Sequence, residues 1–331
     1  MAYYVYLLRC LDDSIYCGIT NDPYNRFIAH GLGKGAKYTR AHGVKRFEKI
    51  WLCKDKSSAL KIEYKLKKLT RDQKLDLING NALHEDVFDV GADYHIKLKT
   101  AFDYLKKDYL QNVDIIEALN MGLGLVVDSR EKGVCVYLPD SYVYFISTDD
   151  GETLNDLSDD FSKPWFGIVT HHLFERDILI KKYDLEASEN CYNVAYLKEP
   201  PEPLDDIDIR PLFPIHIPIV DRVYSLYDAH EEVERLVKEK KMLGAFIGDT
   251  LVGFAGFHSE GAMGMLEVLP EYRRKGYGKA LSIQMIRLVL SLHRVPFAQI
   301  FYSNTPSINM QKQLGYSFSS PEIVWMHKKE Q

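Results

Sequence analysis

The chain has 331 residues, 46% hydrophobic and 27% charged, with a formal net charge of −5. This is the composition of a globular protein of two or three domains, not of a disordered or fibrous one. No apolar run approaches the ~20 residues of a membrane helix, so no membrane partner is expected. The five cysteines (Cys10, Cys17, Cys53, Cys135, Cys191) are scattered, without a Cys-x-x-Cys pair. They support neither a zinc knuckle nor a disulfide framework and, with no leader-like start, predict a reducing, cytoplasmic setting.

Charge is unevenly divided. Residues 1–80 hold sixteen Lys and Arg against eight Asp and Glu, a net of +8, and the remainder carries −13. The asymmetry predicts separate domains with different partners, the basic front suited to nucleic acid. In chain order, residues 3–10 read as a strand, Asp12-Asp13-Ser14 as a turn, and 15–20 as the second strand of a hairpin. Asn21-Asp22-Pro23 has the form of a helix start, and it sets Arg26 and His30 four apart on one face. Residues 31–35 are a flexible basic loop and 47–53 a third strand. A helix from 57 carries Ile62, Glu63, Leu66 and Leu69, and a short helix spans 72–78.

Tyr4-Val5-Tyr6, Tyr16-Cys17-Gly18, Asn25-Arg26, His30, Gly35-Ala36-Lys37-Tyr38-Thr39 and Glu63 occur in that order. With them, residues 3–78 resemble the GIY-YIG nuclease family in its small single-domain branch. Tyr4 replaces the first glycine and Cys17 the middle isoleucine; neither change removes a reactive group. The resemblance implies phosphodiester hydrolysis of DNA or RNA with one divalent ion. Glu63 would be the single metal-binding carboxylate, suited to a Mg²⁺ that keeps its water. Tyr6 or Tyr16, helped by His30, would orient or deprotonate the attacking water, and Arg26 would offset charge on the phosphorane. Lys34, Lys37, Arg40, Lys45 and Arg46 would hold the backbone. Taken singly, these residues have structural readings as well: half-buried strand tyrosines, a histidine at a helix C-terminus, a glutamate paired with lysines at i,i+4.

Asn79-Gly80-Asn81 breaks the helical pattern and sets the first boundary, and residues 84–93 read as an acidic linker. Helices are expected at 94–112 and 115–121, and strands at 123–128, 134–138, 142–147, 166–170 and 191–197. The acidic stretch 149–160 separates some of them. Trp165, His171 and His172 stand out, but adjacent histidines point in different directions, so packing or a wall of the acyl-acceptor pocket is the expected role rather than a metal site. In layout, residues 81–205 are similar to the amino-terminal halves of two-lobed acyltransferases such as the glycine N-acyltransferase-like group.

Glu199-Pro200-Pro201-Glu202-Pro203 is a stiff linker. Beyond it, the pattern predicts a strand at 207–212, helices at 219–227 and 230–240, and a hairpin of 243–248 with 250–258. A strand at 263–269 follows, stopped by Pro270, and then a helix with Leu281, Met285, Leu288 and Leu292 at helical spacing. A strand at 297–302, a helix at 307–314 ended by Gly315, and a strand pair within 316–326 complete the chain. Between strand and long helix lies Arg273-x-x-Gly276-x-Gly278. Two glycines let the backbone approach a ligand, and the free N–H groups of a loop and first helical turn suit one anion. There is no Gly-Lys-Ser/Thr ending of a nucleoside-triphosphate loop.

This stretch, with Asn304-Thr305-Pro306-Ser307 and Leu314-Gly315-Tyr316, resembles the GNAT acyltransferase superfamily. The resemblance implies acetyl-CoA as cosubstrate and an amine as acceptor. Val268, Arg273, Arg274, Lys275, Gly276, Tyr277 and Gly278 would hold the coenzyme, with Asn304 and Ser307 on its pantetheine or phosphate. The tyrosine that protonates the leaving thiolate in many relatives is replaced here by Gln311, which cannot act as an acid; Tyr302 or Tyr316 are substitutes. The N–H of Val268 or Leu269, at a strand bulge, would stabilise the oxyanion. Glu267, Glu260 and His258 are candidates for the general base, Glu267 standing beside the expected thioester.

The fold class expected is α/β of the α+β kind: a small GIY-YIG domain over 1–80, an intermediate region over 81–205, and over 206–331 a GNAT fold with a mixed central sheet flanked by helices. The function expected is an N-acetyltransferase fused to a nuclease-like module that binds or cleaves nucleic acid. The alternative is an acyl-CoA-binding regulatory protein with a non-cleaving module.

Overall fold

The structure is a computed structural model that describes residues 1–83, 86–159, 161–204, 206–224 and 229–329. The first residues of the expected acidic linker, position 205 at the second expected boundary, and the end of the expected helix 219–227 lie outside the described residues. The fold is α+β, and the chain divides into two compact units. One comprises residues 1–107, 118–139 and 144–164; the other comprises 108–117, 140–143 and 165–331. Residues 81–205 thus contribute to both.

In the first unit, β1 (Tyr3–Arg9) is flanked by β2 (Ile15–Thr20) and by β3 (Arg46–Cys53), with α1 (Pro23–Gly31) and α2 (Lys37–His42) between β2 and β3 in the chain. β1 is central, which is why Tyr4 to Leu8 are all buried despite the alternation of a strand. α3 (Lys56–Lys68) lays Ala59, Ile62 and Leu66 on Val5, Leu7, Cys17 and Trp51, and Leu77 of α4 (Arg71–Ile78) completes that layer. A short β4 (Val87–Asp89), within the expected linker, pairs with β3.

The opposite face is covered from beyond residue 80. Tyr94 of α5 (Tyr94–Leu105) meets Tyr4 with ring centroids 5.9 Å apart, and His95 packs against Phe27 and Phe47. The helix expected over 94–112 ends at Leu105 and continues as a single 3₁₀ turn. After α6 (Val113–Met121), β5 (Leu125–Arg130), β6 (Gly133–Leu138) and β7 (Val143–Thr148) follow the expected strands. Within the acidic stretch, α7 (Gly151–Ser158) starts where Asp150 accepts the Thr153 N–H.

In the second unit, β8 (Gly167–Thr170), α8 (Leu173–Tyr183), β9 (Leu185–Ala187) and β10 (Cys191–Ala195) precede a four-stranded antiparallel sheet. That sheet is built from β11 (Asp208–Pro211), β12 (Leu243–Ile247), β13 (Thr250–Phe257) and β14 (Met263–Val268), with α9 (Ile217–Val223) and α10 (His230–Lys238) between β11 and β12. α11 (Tyr277–Ser291) buries Leu281, Met285, Ile286 and Val289 in the core with Phe254 and Met265. Leu292, placed on that stripe by spacing, is the exposed C-cap instead. β15 (Phe297–Phe301) and α12 (Thr305–Leu314) follow, then β16 (Ser317–Phe318) and β17 (Val324–Lys328).

The last two strands do not pair with each other. β10 lies between β15 and β16, and β17 lies between β8 and β9.

A buried polar cluster fastens this unit. Asp114, fully buried, lies 3.0 Å by either oxygen from His171 Nε2 and accepts from Ile115 N–H and from Gln299 Nε2, at 2.8 Å. Gln299 in turn accepts from Trp325 Nε1 at 2.7 Å. His171 therefore packs and ties, as expected, while His172 stands at the start of α8. Asp114→Ala removes the acceptor of the Ile115 N–H and of Gln299 Nε2 and the carboxylate that faces His171 Nε2. It is expected to lower stability by about 3 kcal/mol, read as a fall in the urea midpoint by tryptophan fluorescence; an unchanged midpoint contradicts this role.

Candidate functional site

The first site forms on the face of β1 and β2 that carries Tyr6 and Tyr16. The register pairs Tyr6 with Gly18 and Leu8 with Tyr16, so the two phenols are diagonal neighbours, 6.3 Å between centroids. α1 begins where Asp22 accepts the Asn25 N–H at 2.9 Å, and its phase delivers Arg26 and His30 to the same face. Arg26 Nε donates to the Tyr6 hydroxyl at 3.2 Å, and Tyr6 Oη lies 2.8 Å from His30 Nε2. His30 Nδ1 lies 2.6 Å from Thr39 Oγ1, whose own hydrogen goes to the Ala36 carbonyl. Thr39 must therefore accept from Nδ1–H, which leaves Nε2 to accept from Tyr6. Tight approach makes this chain possible. A Cβ at Gly18 would lie 2.4 Å from Tyr6 Oη, and one at Gly35 would lie 2.1 Å from His30 Nδ1.

Burial, with Arg26 close by, lowers the His30 pKa to about 4, so the ring is neutral at pH 7. Burial pushes the Tyr6 hydroxyl far above its ordinary range. Tyr16, half-buried, is also raised by burial, with the charges of Arg26 and Lys67 opposing and that of Glu63 adding. Glu63 comes from α3, on the other side of the sheet at the β2 edge, and pairs with Lys67 at 2.8 Å. Tyr6, Tyr16, Arg26 and His30 are thus brought together, with Glu63 within electrostatic reach of Tyr16. The donor set is one carboxylate beside a phenol, which fits a Mg²⁺ that keeps most of its water and takes further oxygens from substrate. Thr39, which fixes the His30 tautomer, is a member that spacing does not single out; its only signal is its place in the 35–39 segment.

The second site lies at the end of β14. The β13–β14 register shifts between Phe254 and Gly256, and Met265 adopts φ 49°, so the expected bulge sits three residues earlier than Val268. The Leu269 N–H is bonded to Val252 O at 2.9 Å and is therefore removed as an oxyanion donor. Alternation along the antiparallel ladder then turns the Val268 N–H to the open side of β14, the edge of its sheet.

Past Pro270 the chain turns through Arg274 at φ 59° and Gly276 at φ 90°, the residue that starts α11 without a side-chain cap. The first helical bond there is Ala280 N–H to Gly276 O. Among the described residues, the amides from Arg274 to Lys279 donate to nothing. Arg274 and Lys275 are exposed beside them. Arg273 instead folds back, with Nε on Val268 O at 2.9 Å and its guanidinium 3.7 Å from Glu267.

Glu267 is half-buried, and burial raises its pKa against the pull of Arg273. Glu260, fully buried at the β13–β14 turn, is raised to about 8 by burial, and burial lowers His258. A protonated Glu260 is not a ready base at neutral pH. Asn304 caps α12 by accepting from Ser307 N–H at 3.2 Å. Gln311 is buried, and its Oε1 has no hydrogen-bond partner among the described residues. An orphaned acceptor of this kind fits the amide or thiol of a pantetheine arm. Tyr302 is exposed and stacks on Tyr192, whereas the buried Tyr316 hydroxyl donates to Met263 Sδ at 3.8 Å, beside β14.

The chain matches the model of the GIY-YIG catalytic domain over residues 2–76 and that of FR47-like proteins over residues 244–326. It is 43% identical over 103 residues to a UPF0213 protein of Fusobacterium nucleatum, covering 31% of this chain and all of that one. A UPF0213 protein of Oceanobacillus iheyensis is 49% identical over 78 residues, 23% of this chain and 88% of its own. Among solved structures, a GNAT-family acetyltransferase of Colwellia psychrerythraea aligns at 13% identity and TM-score 0.40, covering 62% of this chain and 84% of its own.

The His30 environment carries a pH signature. Its folded pKa of about 4 lies below the ordinary ~6.5, so the unfolded chain binds the extra proton first. The contribution of His30 to stability is present above pH ~6.5 and is lost as pH falls toward 4. An NMR titration is expected to hold the His30 ring neutral down to pH ~5; a midpoint near 6.5 contradicts the buried relay.

Proposed function

This chain belongs to the GIY-YIG family through its N-terminal domain and carries a GNAT acetyltransferase-like domain at its C-terminus, and we propose on that basis an N-acetyltransferase that uses acetyl-CoA, joined to a Mg²⁺-dependent nuclease module. The observation that carries the first half is the run of amides from Arg274 to Lys279 without acceptors, at a helix N-terminus, beside Arg274 and Lys275. Six N–H groups without acceptors among the described residues, with this charge beside them, suit the diphosphate of the coenzyme. Val268, with its N–H open, is positioned to receive the thioester oxygen as it becomes an oxyanion. Glu267, its pKa raised by partial burial, takes the proton from the acceptor ammonium, and the neutral amine attacks the carbonyl carbon. Collapse of the tetrahedral species breaks the C–S bond, and the nitrogen gives its extra proton to the departing thiolate or to water, leaving the neutral amide. A thiolate of pKa near ~8.5 leaves without a strong acid, which suits Gln311 in place of a tyrosine.

In the nuclease module, Glu63 would hold the Mg²⁺, which supplies charge to stabilise the leaving oxygen. Tyr16, the half-exposed phenol, orients the attacking water. Tyr6, His30 and Thr39 form the hydrogen-bonded support behind it, and Arg26, donating to Tyr6, faces the charge that builds on phosphorus. The neutral His30 ring, with Nε2 toward the phenols, is in the form that accepts a proton.

Three measurements test this. Full-length protein with acetyl-CoA and a panel of amines is expected to release free thiol with at least one acceptor class, and Gly276→Glu is expected to weaken coenzyme A binding by at least about tenfold in calorimetry, because its carboxylate would face the diphosphate. Unchanged binding contradicts the cradle. Mg²⁺-dependent nicking of plasmid or RNA is expected and should vanish in Glu63→Ala; nicking that survives the substitution removes Glu63 from the reaction.

A further inference from the structure

Helix α5 lies beyond the 1–80 segment in which the sequence places the nuclease-like domain, yet it packs on the elements that carry Tyr6, Arg26 and His30. His95 and Lys99 stand one turn apart on α5 and meet two residues one turn apart on α1. The His95 ring centroid is 5.4 Å from that of Phe27, and Lys99 Nζ is 5.3 Å from the centre of the Tyr24 ring. α1 is the helix that delivers Arg26 and His30.

His95 also supports the other half of the centre. Its ring stands 4.9 Å and 70° from Phe47, and Phe47 stands 5.1 Å and 74° from Tyr6, so one buried ring separates His95 from the phenol. Phe27 closes the group, 5.2 Å from Phe47. His95 is itself buried, and its Nδ1–H donates to the Ala92 carbonyl at 3.0 Å. Burial lowers its pKa, so at pH 7 it packs as a neutral ring.

The bonds behind which this group sits tolerate little movement. Tyr6 Oη has His30 Nε2 at 2.8 Å and Arg26 Nε at 3.2 Å, and such bonds are lost by ~3.6 Å. A displacement of about 1 Å between α1 and β1 therefore breaks both. His95 is in contact with both sides of that joint, with α1 through Phe27 and with Tyr6 through Phe47. We propose that His95 is a positioning residue of the nuclease-like centre, holding α1 and the Tyr6 ring where the chain of bonds from Arg26 through Tyr6 to His30 requires them. The working module then extends through α5. The inference rests on the nuclease reading of this centre and adds a support to it from outside residues 1–80.

The test uses the full chain with His95→Ala and His95→Phe, and reads the His30 ring by NMR titration and Mg²⁺-dependent nicking on the same samples. His95→Ala is expected to raise the His30 midpoint by about one pH unit, because a loosened α1 lets water reach the ring, and to slow nicking about tenfold. His95→Phe, which restores a ring of similar shape, is expected to bring the midpoint back to that of the unsubstituted chain. Phe27→Leu, a milder change on the α1 side of the same contact, is expected to raise the midpoint as well, and it decides the matter where His95→Ala does not fold. An unmoved midpoint in the folded variants, even with a lowered melting temperature, reduces His95 to packing and overturns the proposal. A His95→Phe protein as perturbed as His95→Ala also overturns it. Absence of nicking in the unsubstituted chain overturns the nuclease reading on which the proposal rests, whereas intact nicking with an unmoved His30 midpoint overturns the proposal alone.

Discussion

A helix leaves its first N–H groups without acceptors, and something must satisfy them. At α11 none of the described residues does: it starts from Gly276 in a left-handed turn, with no side-chain cap. At α1, α3, α4 and α7 a side chain does so, from Asp22, Asp55, Thr70 and Asp150, whereas α2, α5, α9 and α10 share with α11 the lack of a side-chain cap. What α11 adds is the loop before it, whose amides from Arg274 onward are also without acceptors among the described residues, so that solvent or a ligand completes the structure there. This loop follows directly on an edge strand whose Val268 N–H is also open. The reading of the C-terminal domain as an acyl-CoA-using enzyme depends on that arrangement more than on any single side chain.

The N-terminal unit uses the opposite device. Its polar groups are closed on one another, from the Ala36 carbonyl through Thr39, His30 and Tyr6 to Arg26. A chain of this kind fixes the tautomer of one imidazole and the orientation of one phenol, and it does so only because Gly18 and Gly35 let ring atoms rest on the backbone. Tyr16 and Glu63 are left at the edge, where water and substrate have access. The division is between groups that must not move and groups that must exchange partners.

Much of this was legible in residue order. Alternating and helical patterns located most strands and helices, and the Gly248-Asp249 turn, the Pro270 stop and the Gly315 cap stand where their chemistry requires. Tyr6, Tyr16, Arg26 and His30 were identifiable through the resemblance of their motifs to the GIY-YIG family, and the fold brings them onto one face. What was not legible depends on distant pairing. That β10 separates β15 from β16, and that β17 joins β8 and β9, follows from long-range ladders that no local pattern encodes. The α7 helix was hidden in an acidic run whose second residue, Asp150, is the cap. The bulge was placed near Val268, but the ladder puts it at Met265, and the Leu269 N–H, one of the two candidate oxyanion donors, is bonded to Val252 O. Arg273, a natural phosphate ligand by charge, is drawn back onto Val268 O and Glu267 while still exposed, which leaves Arg274 and Lys275 as the loop cations without a hydrogen bond or ion pair among the described residues.

The most direct test of the central claim follows the backbone amides themselves. In an ¹H–¹⁵N correlation spectrum of the full chain titrated with coenzyme A, the resonances of Arg274 through Lys279 are expected to move together and saturate. Perturbations confined to other segments, with those six amides unmoved at saturation, would contradict the account.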